Sequence, residues 1–218
     1  MVFSKLFGSK KRSAAPVLAP EILGLKLGGA FELDPLKLRL IEPQLIIQGA
    51  ATTQFIQAVG VVKLDDTTTV LRYYTDDDGF IQVLLDGGMT DSHISDVKLW
   101  YFYDTLSISS EDQWERVLAD KISMPTLPLE NQHYSPVWQN AAAEIAAPVA
   151  MTEKTYHQNG ATSVTDQFTM LYEREISSDF FEYVMLSGEE KIINNTADRC
   201  FVKITGFDLQ PADIEITG

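Results

Sequence analysis

The feature that most constrains this chain is the run RYYTDDDGFIQVLLDGG at residues 72–88. Val70, Leu71, Tyr73 and Tyr74 are β-branched, apolar or aromatic, types that suit a pleated, half-buried surface. Asp76-Asp77-Asp78-Gly79 reverses the chain, because aspartate side chains bond back to nearby backbone and glycine tolerates positive φ. Phe80, Ile81, Val83, Leu84 and Leu85 form the return strand, and Asp86-Gly87-Gly88 ends it. The run therefore predicts a hairpin. Its three aspartates also raise the question of a calcium loop. An EF-hand needs oxygen ligands at the first, third, fifth and twelfth loop positions around a glycine at the sixth. With Gly79 sixth, Tyr74 falls first and Leu85 twelfth, so a solvated turn is the better reading.

The alternation continues on both sides. Strands are predicted at 30–33, 36–41, 45–47, 55–64 (Phe55, Val59 and Val61 inward), 67–75, 97–106, 149–157, 164–175, 180–186 and 200–207. Asn159-Gly160 is the strongest two-residue hairpin signal. Helices are predicted at 21–27 behind Pro20, at 111–122 behind a Ser110/Gln113 capping box, and at 137–147 between Pro136 and Pro148. Pro125, Pro128 and Pro136 mark a crossing between halves.

These signals divide the chain into a leader at 1–20, a first β-meander half with a helix at 21–124, a Pro-rich loop and helix at 125–148, and a second half at 149–218. The fold class is α+β, mainly antiparallel sheet. One barrel-like core and two sub-domains both fit. A weak internal echo sets residues 78–87 beside 179–188, Leu71 beside Leu171, and Tyr103-Asp104 beside Phe207-Asp208. It reads either as two duplicated meanders, near 50–106 and 149–209, or as alternation that any two hairpins share.

Charge and composition exclude several function classes. The 218 residues are 45% hydrophobic and 22% charged, as in a soluble globular protein. Net charge is −14. The first twelve residues hold four of the 17 basic groups and no acid, leaving 13 against 31 acidic groups on the rest, or −18. Such a body repels phosphates, so no nucleic-acid partner is expected. The single cysteine, Cys200, lies in an apolar strand and reads as an inert thiol. No eighteen-residue apolar run and no signal-peptide pattern stand out, so cytoplasmic residence is expected.

Phe3, Lys5, Leu6, Phe7, Lys10, Lys11 and Arg12 are candidate contacts with an anionic membrane surface, where each cation contributes about 1 kcal/mol. A flexible tail is the alternative.

Catalytic signals are absent. His93, His133 and His157 lie far apart and outside metal-binding spacings, and Cys200 has no CxxC partner. There is no GxSxG elbow and no P-loop, and Gly24, Gly28 and Gly29 lack the strand that a dinucleotide fingerprint requires. No catalytic residue, metal or cofactor is assigned, and an enzyme is the less favoured reading. The most site-like group is Glu130, His133, Tyr134 and Trp138 in the Pro-rich segment, a candidate ligand cluster because loops carry function disproportionately.

The leader MVFSKLFGSKK, the segment LGLKLGGAFELDPLKLRL (23–40), the hairpin RYYTDDDGFIQV (72–83) and the strand VKLWYF (97–102) resemble the YjfK-like bacterial proteins of unknown function. The resemblance spans nearly the whole chain and carries no catalytic residue with it. It implies a link to membrane-stress proteins of phage-shock type. The expected function is a non-enzymatic cytoplasmic protein-interaction module, peripheral at the inner membrane in envelope stress. The alternative is a small-molecule-binding protein or enzyme with a site in the cleft between the halves.

Overall fold

The computed structural model describes residues 18–138 and 146–218. A short strand β1 (Ala30–Leu33) and a helix α1 (Pro35–Ile41) precede a four-strand meander: β2 (Thr53–Lys63), β3 (Thr68–Thr75), β4 (Gly79–Asp86) and β5 (Ile94–Ile108). Helix α2 (Glu111–Arg116), a π-helical turn Val117–Lys121 and a small hairpin, β6 (Leu127–Leu129) with β7 (Gln132–Pro136), then cross over. A second meander follows, made of β8 (Val149–His157), β9 (Thr162–Ser177), β10 (Phe180–Ile193) and β11 (Thr196–Asp208), and β12 (Ile214–Ile216) comes last. Every pairing is antiparallel, and the class is α+β dominated by sheet.

Two seams join the meanders. β5 pairs with β11, last strand to last, and β2 pairs with β8, first strand to first. The ring β2-β3-β4-β5-β11-β10-β9-β8 therefore closes on itself as an eight-stranded antiparallel barrel. Closure leaves none of the eight with a free edge, and a barrel of this size has an interior just wide enough for side chains or one small ligand. β1 with β12, and β7 with β6, extend the sheet outside the ring.

Apolar side chains collect in three places. The outer face of the first meander (Leu71, Tyr73, Ile81, Val83, Leu99) is covered by the segment carrying Ile22, Leu25, Phe31 and Leu38. The outer face of the second (Met170, Tyr172, Val184, Leu186) is covered by Val117, Ile122, Leu127 and Tyr134 from the crossover. The interior holds Phe80, Trp100, Tyr183, Met185, Val202 and Ile204. The central strands are thus buried on both faces, which explains runs such as Phe80 to Leu85 without clean polar alternation. The turns follow local chemistry. Asp65 Oδ1 accepts from the Thr67 and Thr68 amides (both 2.7 Å), and Asn194 and Asn195 both take positive φ (51° and 61°) in a two-residue hairpin loop.

Several expectations are corrected. Residues 36–41 form α1, not a strand: the Asp34 carboxylate accepts from the Leu36 amide at 2.8 Å and Pro35 occupies the first turn, so capping outweighs the apolar alternation. Residues 21–27 are not a helix. Ile22 bridges to Leu25 around Leu23 and Gly24, both at positive φ (52° and 76°). Residues 45–47 follow a 3-10 turn and join no strand. Phe55 is exposed and Ile56 is buried in the cluster over the outer face of the first meander, where the register shifts between Ile56 and Ala58. The capping box is offset: Ser110 Oγ accepts from the Gln113 amide, but Gln113 Oε1 accepts from Ser109. The helix expected at 137–147 lies mostly outside the described residues, and Val137 and Trp138 form a bend.

Candidate ligand site in the barrel lumen

Arg72 is the centre of the interior. It sits mid-strand on β3, where alternation directs it into the barrel. Its Nη1 donates to Glu153 Oε2 on β8 (2.7 Å) and to Gln167 Oε1 on β9 (2.9 Å), and its Nε donates to Gln82 Oε1 on β4 (3.2 Å). Glu153 Oε1 accepts from the Tyr74 hydroxyl at 2.7 Å. Gln167 Nε2 donates to Glu153 (3.2 Å) and to Glu189 Oε1 on β10 (3.3 Å). Five strands from both meanders meet in this network. The ion pair is fully buried, so its charges are tolerable only because each is bonded. Gly60 on β2 makes the room: a Cβ there would stand 1.9 Å from Glu153 Oε1. Burial and the neighbouring Glu153 push the Tyr74 phenol well above its ordinary value, so it stays a donor.

Above this floor lies a cavity of about 230 Å³. Its aromatic wall is Tyr74, Phe80 and Phe102, and its polar wall is Thr155, His157, Ser163, Thr165 and Glu189, with Lys191 at the rim. His157 Nε2 and Ser163 Oγ are 3.0 Å apart. Such a pair resembles part of a nucleophile arrangement, but no carboxylate bonds the second ring nitrogen among the described residues. Burial, then Glu153, push the Glu189 carboxyl up, and Arg72 and Lys191 pull it back. Cys200 packs against the interior cluster, where burial first and then Glu189 push its thiol up to about 11.

Two other hollows differ in chemistry. One of about 720 Å³ runs outside β2, β8 and β9 beside Lys63, Lys154 and Asp166. The other, about 360 Å³, is an apolar groove between the π-helical turn, β6 and strands β10 and β11. Both are lined from both meanders, the first by Lys63 with Lys154 and Asp166 and the second by Asp104 with Lys203, but neither is lined by the Arg72–Glu153 pair. No group of three His, Cys, Asp or Glu side chains among the described residues is arranged to hold a metal ion, and no described helix is long and apolar enough to cross a membrane.

The candidate cluster of the Pro-rich segment does not converge. It folds as the β6–β7 hairpin, with His133 exposed and Tyr134 buried on the opposite side. The Tyr134 hydroxyl donates to Glu182 Oε2 (2.6 Å), which also pairs with Arg174 (2.6 Å). Glu182 Oε1 accepts from the Ile46 amide at 2.6 Å, so this second buried charge pair ties β7, β9 and β10 to the segment before β2. Glu130 bonds the Tyr103 hydroxyl, and Trp138 is half-buried. Residues 1–12, with the candidate membrane contacts, lie outside the described residues. Sequence reasoning missed Arg72, Glu153, Gln167 and Glu189. The available signal was a charged or amide residue at an inward position of an apolar strand, but only the barrel's register says which positions face inward.

The family model described as a protein of unknown function (DUF2491) matches residues 2–215. The chain belongs to this family. It is 31% identical over 218 residues to the uncharacterized protein YjfK of Escherichia coli (strain K12), covering 99% of this chain and 98% of that protein. No solved structure matches.

Proposed function

We propose that this chain is a non-catalytic binding protein that holds a small polar molecule in the barrel lumen, between its two meanders. The supporting observation is the 230 Å³ cavity walled from both halves by convergent polar side chains over a paired, buried charged floor. Pockets of this kind are the default sites for small ligands. A cytoplasmic location is part of this reading, supported by the lone Cys200, which leaves no intrachain disulfide. The test is native mass spectrometry of the full chain in a bacterial metabolite extract, beside a lumen-filled Thr165→Phe variant of unchanged melting temperature. The wild type retains a small molecule and the filled variant does not. Equal retention by both, or none by the wild type, refutes the reading.

A second reading, a protein-interaction module peripheral at the inner membrane, draws on Leu106, 57% exposed beside the apolar groove, and on the basic residues 1–12. Co-sedimentation with anionic liposomes that is unchanged by deleting residues 1–12 removes its membrane part. The meanders are also read as copies of one unit. Both run in the same order, and the echoed residues 78–87 and 179–188 fall on β4 and β10, the third strand of each. A profile built from relatives of the first meander that scores the second no better than unrelated hairpins counts against duplication.

A further inference from the structure

We infer that the lumen ligand is a small organic cation, an ammonium group carried on an aromatic or short aliphatic frame. This rests on the lumen being a ligand site. The charged groups lining the cavity are Arg72, Glu153, Glu189 and Lys191, with His157 as the remaining titratable ring. Arg72 and Glu153 neutralise each other: Arg72 uses Nη1 and Nε on oxygen acceptors, and its Nη2 packs against the sulfurs of Met151 (3.9 Å) and Met185 (4.0 Å). Glu153 is filled by Arg72, Gln167, Tyr74 and Thr155. Glu189 is not. It accepts a long 3.3 Å bond from Gln167 and a contact from the Ser187 hydroxyl, while an ionised carboxylate offers about four acceptor positions. Among the described residues no ion pair joins Glu189 to Lys191, which is exposed at the rim.

The walls select the same sign of charge. Tyr74, Phe80 and Phe102 line the cavity, and aromatic faces attract cations, as the Arg72 guanidinium 5.5 Å from the Phe80 centroid already does. The chain as a whole carries −14, a field that concentrates cations at a low-dielectric opening. An anion in the cavity would meet the Glu189 carboxylate, and of the cations lining it Arg72 is already paired with Glu153 and Lys191 is exposed at the rim. Size fits a single ring with an amine, since a cavity of about 150 Å³ already accepts benzene.

The experiment uses three probes of one size and different charge: benzylammonium, benzyl alcohol and benzoate. Each is titrated at low salt into the isotope-labelled full chain by NMR, reading the lumen amides and the Trp100 indole. That buried N–H has no partner among the described residues and its ring stacks on Phe80, so it reports on the lumen. Benzylammonium is expected to shift these signals saturably, with benzyl alcohol about tenfold weaker and benzoate weaker still. Glu189→Gln, which keeps the volume, is expected to weaken benzylammonium about tenfold and leave benzyl alcohol unchanged. Lys191→Gln is expected to tighten benzylammonium. Benzoate or benzyl alcohol binding as tightly as benzylammonium, or a cation that binds Glu189→Gln equally well, overturns the cation class and leaves the lumen site standing. No lumen shift with any of the three up to millimolar concentrations overturns both.

Discussion

Arg72 shows how one residue can be costly alone and supportive in company. A buried guanidinium without partners is untenable, yet here Nε and Nη1 donate to three oxygens and Nη2 packs against two methionine sulfurs. Breaking such a pair from one side strands the other charge, at about 3–5 kcal/mol, whereas replacing both is far milder. Arg72→Met is therefore expected to lose that much stability in urea titrations, and Arg72→Met with Glu153→Met to recover part of it. A double variant less stable than both singles contradicts this. Gly60 is the steric counterpart. Gly60→Ala pushes on Glu153 Oε1 and is expected to cost about 1–3 kcal/mol, seen as a lower urea midpoint at unchanged slope. Glu189 carries a pH signature. Burial raises its carboxyl above the ordinary glutamate value, so the folded chain binds more protons there than the unfolded chain. Its contribution to stability is full below that value and is lost as pH rises through the raised folded value. Glu189→Gln is expected to flatten this segment of the stability–pH curve, and an unchanged curve would show that the shift is not expressed.

At the scale of elements, capping and register decided what alternation left open. Residues 36–41, LKLRLI, alternate apolar and basic residues and so predict a strand, but the structure makes them a helix. Asp34 settles it by accepting two amides of the first turn (2.8 and 3.3 Å). Asp34→Ala is expected to cost about 1 kcal/mol and to loosen the cover over the first meander, detectable as a lower melting temperature. The β6–β7 hairpin was illegible for a related reason. Its prolines signal a loop, yet Pro128 and Pro136 fall on a short outer hairpin, a peripheral position that tolerates a missing donor. Its register sends His133 to solvent and Tyr134 to Glu182, so neighbours in sequence became opposite faces of a strand.

At the scale of the whole molecule, closure is uneven. The β10–β11 pair runs through twelve residue pairs, whereas the β2–β8 seam has five. Shorter ladders open more readily, so hydrogen exchange is expected to be faster at Ala58 to Val62 than at Val184 to Cys200. Equal protection would mean that the barrel opens only globally. What the sequence determined by itself was local: the hairpin turns, most of the strands, the antiparallel class, the acid excess, and the family. These follow from side-chain shape, turn chemistry and period-two burial, all of which act within a few residues. Only the tertiary structure decided that the two meanders join first strand to first and last to last. That pairing made a lumen out of what alternation could describe only as buried faces. It also set Arg72, Glu153, Gln167 and Glu189 against one another across 117 residues of chain. Alternation says that a residue faces away from its neighbours, but which side is interior depends on what the strand packs against.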